Sequence, residues 1–365
     1  MSLRVLVWPM DAGASAYYRL RAPAKALQDQ GADVILVDDP VLRAPAIDWD
    51  GWPEAEAGAA PPRDARPTVI HEVDADVVIF QRPAARWHCM LVDLLHERGV
   101  RVVVDIDDRL DQLHPQSNAF HNYDPQLSPN KNWQWLDAAC KAADIVTCST
   151  PALAKRYGFG HVVVLPNLVP ASHLEIEPLY PLERTVVWSG NVSNHQGDLE
   201  ATDGGVQRAL KGSGWRIHVI GNGIGVAEAL GVGSCTNTGG RIPLSDYAAE
   251  LARSAIGIVP LADSVFNESK SALKMSEFAA VGVPVVASPS PDNRRVHDLG
   301  VGLLAGDRKQ WRQQVRRLID SPDCRSQLAV RGREAIASQT YERQADRWWS
   351  AWTVAGPLDL SPGLS

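Results

Sequence analysis

Lys270, Lys274 and Glu277 stand at i, i+4 and i+7 in "KSALKMSEFAAVGVPVVAS", residues 270–288. On a helix they share one face, so two cations and an anion interrupt an otherwise apolar segment. Backbone N–H groups at a helix start already favour anions, and two ammonium groups placed there suit a diphosphate. Glu277, one turn on, can accept hydrogen bonds from vicinal hydroxyls such as those of a ribose. Each such bond to a charged group contributes roughly 1.5–3 kcal/mol. The competing reading is a Lys274–Glu277 pair on a solvated face, worth only ~0.2–0.5 kcal/mol. Spacing alone leaves both open.

Other residues able to do chemistry follow strand-like runs. "DIDD", Asp105–Asp108, could supply hard oxygen ligands to a divalent cation or cap the short helix at "DRLDQL". Gly13, Tyr18, Arg19 and Arg21 follow the first apolar run, and His195 and Asp198 follow "WSGN". Each set reads equally as a ligand contact or as a surface pair or helix cap. "GNGIG", residues 221–225, mimics a dinucleotide loop, but Val226 stands where the third glycine belongs, so a strand-end turn is expected. The other histidines and the five cysteines (89, 140, 148, 235, 324) show no metal-ligand spacing, and the odd, scattered cysteines read as reduced thiols.

These residues must be held by a recurrent scaffold. "LRVLVW", "ADVILVD", "ADVVIFQ", "VRVVVDID" and "IVTCS" alternate with helix-like segments. Continuous apolar runs mark strands buried on both faces, and the βαβ rhythm implies a parallel, doubly wound sheet. A second set begins at "RTVVWSGN" and continues through "WRIHVIGNG", "AIGIVPL", "VGVPVVAS" and "VGLLA". The expected fold class is α/β, with two Rossmann-like domains facing a cleft. Residues 1–172 form the first and 182–340 the second, joined by a proline-rich linker at 170–183. Residues 51–67, rich in Ala, Pro and acidic side chains, are expected to form a mobile loop, and "GPLDLSPGLS" a frayed tail.

Composition narrows the function. The chain has 365 residues and a net charge of −7, so no global basic field drives it to nucleic acid. No run of about 18 apolar residues predicts a membrane span, and the N-terminus lacks a signal peptide's apolar region. A cytoplasmic location is expected. Twelve of the 24 aromatic residues are Trp, most of which should serve packing.

Together, "SAYYRLRAPAKALQDQGADV", "VVVDIDDRLDQL", "ADIVTCSTPALAKRYG", "VVVLPN", "VVWSGNVSNHQGDLE" and the "KSALKMSE" segment resemble, in order, family 4 glycosyltransferases of the GT-B fold. The likeness is greatest to the phage and bacterial branch and spans residues 3–353. It implies that Glu277 is the second glutamate of an E-x7-E motif and holds the ribose of a nucleotide sugar. Ser269 stands where the first glutamate belongs, with Glu268 one residue away. In "GNVSNHQG", Asn191 and Gln196 replace a phosphate-clamping Arg and Lys, so Lys270 and Lys274 are expected to supply the charge and Gly190 part of the cradle. His195 would touch the diphosphate, and Arg241 would lie beside the base. Asp107 falls where many members have a histidine near the reacting carbon, so Asp107 or Asp108 would orient the acceptor hydroxyl or take its proton. Gly13, Tyr18 and Arg19 would lie on the acceptor or phosphate side.

The resemblance also implies that the last helix, 341–356, returns to the first domain and that transfer proceeds with retention of configuration. The reading is a glycosyltransferase using a nucleoside-diphosphate sugar, with no cofactor and no metal. Its acceptor is a glycan, a lipid-linked sugar, a protein side chain or a modified DNA base. Rival readings are a GT-B-fold sugar-nucleotide epimerase and a catalytically silent glycosyltransferase-like binding subunit. A patch of Arg82, Arg86, Arg98, Arg101 and Arg109 would mark a local basic groove in the first domain.

Overall fold

The computed structural model describes residues 3–37, 47–50, 65–70, 73–178 and 184–354. The chain divides into two compact units. The first comprises residues 1–113, 119–167 and 341–365, and the second residues 114–118 and 168–340.

The first unit is built on six parallel strands: β1 (Arg4–Trp8), β2 (Asp33–Leu36), β5 (Val77–Gln81), β6 (Arg101–Ile106), β7 (Ile145–Cys148) and β8 (Val162–Val164). They lie in the order β2-β1-β5-β6-β7-β8, while β3 (Ile47–Asp50) and β4 (Arg66–Ile70) form a separate antiparallel pair. That pair flanks the expected mobile loop, most of which (51–64) lies outside the described residues; Arg66 and Pro67 belong to β4. β5 and β7 are buried along their whole length, as helices on both faces of a parallel sheet require.

Helix Ala345–Thr353 belongs to this unit and buries Trp348 and Trp352. Its neighbour Tyr341 donates a hydrogen bond from its hydroxyl to the Tyr18 carbonyl, and Arg347 reaches the Val164 carbonyl at 2.9 Å. Two buried indoles hold this helix by far more apolar area than its two turns of backbone hydrogen bonding would.

The second unit carries β9 (Thr185–Ser189), β10 (Arg216–Ile220), β11 (Cys235–Asn237), β12 (Ile256–Val259), β13 (Val285–Ala287) and β14 (Leu303–Leu304), all parallel, in the order β11-β10-β9-β12-β13-β14. This is the doubly wound order, reversing direction between β9 and β12. The expected linker is not free through its first part. Leu174 and Ile176 pack on the second core, and Arg333 holds the Ile176 carbonyl at 2.8 Å. Residues 179–183 lie outside the described set.

Helix Leu273–Ala280 covers β12 closely. A Cβ on Gly257 would lie 2.8 Å from the Phe278 ring, so only glycine allows this approach. The helix also ends as its sequence suggests, at Gly282 with φ +73°.

Candidate functional site

In open α/β sheets, ligands gather beyond the carboxyl ends of the strands, where the strand order reverses. In the second unit that point lies between β9 and β12. Gly190 follows β9 and Gly221 follows β10. A Cβ on Gly221, at φ +137°, would lie 2.3 Å from the Gly190 carbonyl oxygen, so the two loops meet backbone to backbone. A Cβ on Gly190 would meet the Trp188 ring at 2.8 Å and the His195 ring at 3.1 Å.

Lys270 does not share the helix of Lys274 and Glu277, contrary to the expectation from spacing. A short helix, Val265–Glu268, is capped by Ser264 and stops; the next starts at Leu273. The break is imposed from outside, because the Asp292 carboxylate accepts the Ala272 amide at 2.6 Å and sets a new helix start there. Lys270 therefore sits in the connecting turn, its ammonium 4.9 Å from the Phe266 ring centroid. It still acts electrostatically on Lys274, as do Glu277 and Asp198. Burial, and then Lys270, push the Lys274 amine below its ordinary value against the pull of Glu277 and Asp198. Neither ammonium has an ion-pair partner among the described residues.

Glu277 is only 3% exposed. The Tyr247 hydroxyl, from helix Leu244–Ala252, lies 3.4 Å from Glu277 Oε2 and 2.9 Å from Ser189 Oγ. Burial and the adjacent carboxylate raise the Tyr247 phenol far above its usual range, so it stays a neutral donor. Neither Tyr247 nor Ser189 carries a motif that would reveal this role.

His195 and Asp198 form a tight pair, Nδ1 to Oδ2 at 2.9 Å. The other Asp198 oxygen accepts the Ala262 amide at 2.8 Å and the Asn267 side-chain amide at 2.7 Å. Burial alone would raise this carboxyl, but His195, Lys270 and the Ala262 amide hold it below the usual range. Burial and the two lysines push His195 down to about 4. The imidazole is thus neutral at neutral pH, with Nδ1–H donated to Asp198 and Nε2 an acceptor. Trp188 meets the ring edge-on, 5.6 Å between centroids.

Two further expected residues, Asn191 and Arg241, do not join this group, nor does Ser269 in the place of the missing glutamate. Asn191 spends its side-chain oxygen on the Ser193 amide, 3.1 Å away, and caps a turn. Arg241 lies exposed in the loop after β11. Ser269 is buried and donates to the Val265 carbonyl at 3.0 Å. Glu268 instead lines a cavity of about 710 Å³ with Ala262, Asn267, Ser288 and Ser290.

In the first unit the strand order reverses between β1 and β5, and Asp11, Ser15, Gln81, Arg82 and Asp107 gather there. Arg82 adopts φ +46°, a conformation that costs a non-glycine residue energy and concentrates at functional sites. Its guanidinium lies 3.4 Å from Asp107, 3.6 Å from Asp11 and 3.9 Å from Asp108. Ser15 donates its hydroxyl to the other Asp107 oxygen and accepts from Gln81 at 2.9 Å. Arg82 Nε and Asp107 Oδ1 face each other, buried, without a directional hydrogen bond. Asp108 is one-third exposed.

Arg19 has a different role from the expected ligand contact. It is fully buried and grips Asp105 through two bonds, 3.0 and 2.7 Å, while donating to the Leu165 carbonyl at 2.5 Å and Asn167 at 2.9 Å. Its guanidinium also lies over Trp348, 4.9 Å from the centroid. Every arm is committed to the core, and Asp105 is occupied by Arg19 and Thr147 rather than paired with Asp107. Tyr18 is buried beneath Tyr341, and Gly13 makes a turn with its amide on Asp11 at 2.7 Å. Carboxylates neutralise part of the expected arginine patch. Arg82 faces carboxylates, Arg109 pairs with Asp111 at 2.7 Å, and Arg101 donates to the Thr353 carbonyl. Among the described residues, no cluster of three or more His, Cys, Asp or Glu is arranged to hold a metal.

Residues 205–350 match the family model for a glycosyl transferase-like domain. The chain is similar in structure to sucrose-phosphate synthase from Thermosynechococcus elongatus, with a TM-score of 0.63 at 13% identity over 95% of this chain and 97% of that one. Anabaena HepE in complex with UDP matches at 0.55 and 14% identity, over 76% and 79% of the two chains. A UDP-forming α,α-trehalose-phosphate synthase from Burkholderia xenovorans matches at 0.53 and 12% identity, over 78% and 75%. No curated protein matches in sequence. The family match is to a glycosyl transferase-like domain over residues 205–350, and the two parallel six-stranded sheets are those of the GT-B fold. No helix among the described residues is long and apolar enough to cross a membrane.

Proposed function

We propose that the protein transfers a sugar from a nucleoside-diphosphate sugar to an acceptor hydroxyl, with retention of configuration. The observation that carries this reading is the pair of lysines, 270 and 274, held without ion-pair partners beside the buried Glu277 and the facing Gly190–Gly221 backbones. Two cations so placed offset the negative charge that grows on a departing diphosphate. Glu277, steadied by Tyr247, accepts the ribose hydroxyls. The neutral His195 offers an acceptor at Nε2, which fits a sugar hydroxyl better than a phosphate oxygen. Glu268 and the cavity it lines stand in for the missing first glutamate in holding the donor sugar.

At the other switch point, Asp107 orients the acceptor hydroxyl. Its carboxylate is held in place by the Ser15 hydroxyl and the facing Arg82 guanidinium. The acceptor oxygen bonds to the anomeric carbon as the bond to the diphosphate breaks, and the proton passes to the departing diphosphate. Catalysis on this scheme needs no cofactor and no metal, and proceeds in the cytoplasm.

Thermal melting with UDP-, GDP-, dTDP- and ADP-sugars, for wild type and Lys274→Ala, tests the donor site. Ligand at about 100 times its Kd stabilises the native state by ~2.7 kcal/mol, a shift of several degrees. One nucleotide class should raise the melting temperature of the wild type and leave the variant unmoved. The absence of any shift would overturn the assignment, and donor consumption without an acceptor would identify an epimerase instead.

A further inference from the structure

Tyr123 has no part in the scheme above, yet it stands at the acceptor end of the first sheet. It closes the short helix Phe120–Tyr123 in the first unit, and only 7% of it is exposed. It belongs to one buried cluster with Ala84 and Leu110. Those residues lie two positions beyond Arg82 and two beyond Asp108, so the packing fixes the ring near the loops that carry both charges. The phenol interacts electrostatically with Arg82, Asp107 and Asp108.

Two other tyrosines buried as deeply spend their hydroxyls within the protein. Tyr157 donates to Asp111 at 3.1 Å and Tyr341 donates to the Tyr18 carbonyl. The Tyr123 hydroxyl has no hydrogen-bond partner among the described residues and is not sealed from solvent. Polar groups on side chains buried this far are normally paired, so an open hydroxyl beside these charges points to a ligand. Burial, helped by Asp107 and Asp108 and opposed by Arg82, raises the phenol above its ordinary value. At neutral pH it is a neutral hydroxyl, able to donate one hydrogen bond and accept another.

The surrounding charge narrows what that ligand can be. Among the described residues, three carboxylates, Asp11, Asp107 and Asp108, gather about the one guanidinium of Arg82. Arg19 is committed to Asp105 and Arg109 to Asp111, while Arg86 is exposed at the start of the next helix. A phosphate or carboxylate seated here would meet more like charge than opposite charge. Hydroxyl groups can donate to a carboxylate and exchange hydrogen bonds with a phenol without that repulsion.

We propose that Tyr123 is an acceptor-binding residue and that the acceptor is an uncharged glycan. Asp107 takes the reacting hydroxyl and Tyr123 holds a neighbouring ring hydroxyl; this rests on the assignment of the acceptor point to Asp107. Sugars carry hydroxyls on adjacent carbons, so two polar groups fixed on neighbouring loops can engage one ring together. A phosphate-bearing acceptor would have to enter against the field of the carboxylates.

Saturation-transfer NMR on the full chain, without donor, tests this. The probes are methyl α-glucopyranoside, methyl α-mannopyranoside, methyl β-galactopyranoside and glucose 6-phosphate. Wild type should bind at least one glycoside, and more tightly than glucose 6-phosphate. Tyr123→Phe keeps the ring and should melt with the wild type, yet bind that glycoside about threefold to tenfold more weakly, the effect of one lost hydrogen bond. Asp11→Asn/Asp108→Asn removes two of the three charges and should narrow the preference over glucose 6-phosphate. Binding of no glycoside, or an unchanged affinity in Tyr123→Phe, would overturn the proposal. So would tighter binding of glucose 6-phosphate or of a DNA oligonucleotide than of every glycoside, or a preference that the double variant leaves intact. Glycoside binding that depends on Tyr123, with no nucleotide sugar raising the melting temperature, would remove the transferase reading and leave this site standing. The converse pair of results would remove this site alone.

Discussion

The two sheets reverse strand order in the same way, yet their switch points carry different charge. Beyond β1 and β5 one arginine, Arg82, faces Asp11, Asp107 and Asp108. Beyond β9 and β12 two lysines stand beside a histidine kept neutral and a glutamate held by a tyrosine. One topology thus positions two different chemistries, because the strand ends supply only the place and the loop residues supply the field. The two lysines suit an anion that leaves, and the anionic point suits a hydroxyl that must be oriented.

Substitutions at the two points should separate these roles. Asp107→Asn keeps the shape and the Ser15 contact but removes the charge. It should lower kcat by about 10²-fold, the scale expected when a reacting group is no longer held in position, while nucleotide affinity stays unchanged. Steady-state kinetics alongside a nucleotide titration decide this, and an equal loss of nucleotide affinity would erase the division between the points.

His195 sharpens the contrast through pH. Its unfolded value is about 6.5 and its folded value about 4. Between those values the unfolded chain binds a proton that the folded one does not, so stability falls as pH drops through this window and is fully present above about 6.5. The contribution is on the order of 3 kcal/mol. Urea unfolding at pH 7 and pH 4.5 should show a smaller acid loss in His195→Gln than in wild type. His88 and His173, lowered by burial to about 3 and about 4, add the same background to both proteins. The smallest effect is expected from Tyr247→Phe, which removes one hydroxyl and should weaken donor binding by ~0.5–1.5 kcal/mol. Calorimetry with the preferred nucleotide sugar reads it directly.

Much of the scaffold was legible in the chain. Runs such as "VVIF" and "VVVDI" announce strands buried on both faces, because a parallel sheet needs apolar residues on each side. Lys274 and Glu277 stand out for a related reason, as charges inside an apolar helix. What could not be read is what distant residues impose. Nothing near Lys270 shows that a carboxylate 20 positions beyond Ala272 breaks the helix. Arg19 looks like a ligand contact until Asp105, 86 positions away, and Trp348 enclose it. Arg82 reads as one of several surface arginines, and its strained backbone has no local sequence signal.

Side-chain type and periodicity, which act over a few residues, therefore determined the strands, the helix that holds Lys274 and Glu277, and the glycine that ends it. The tertiary structure alone decided which charges stay available. Burial in an ion pair removes Arg19 from the surface, and Asp198 sets the tautomer of His195. Coulomb and desolvation energies depend on distance in space, and separation along the chain carries little of that information.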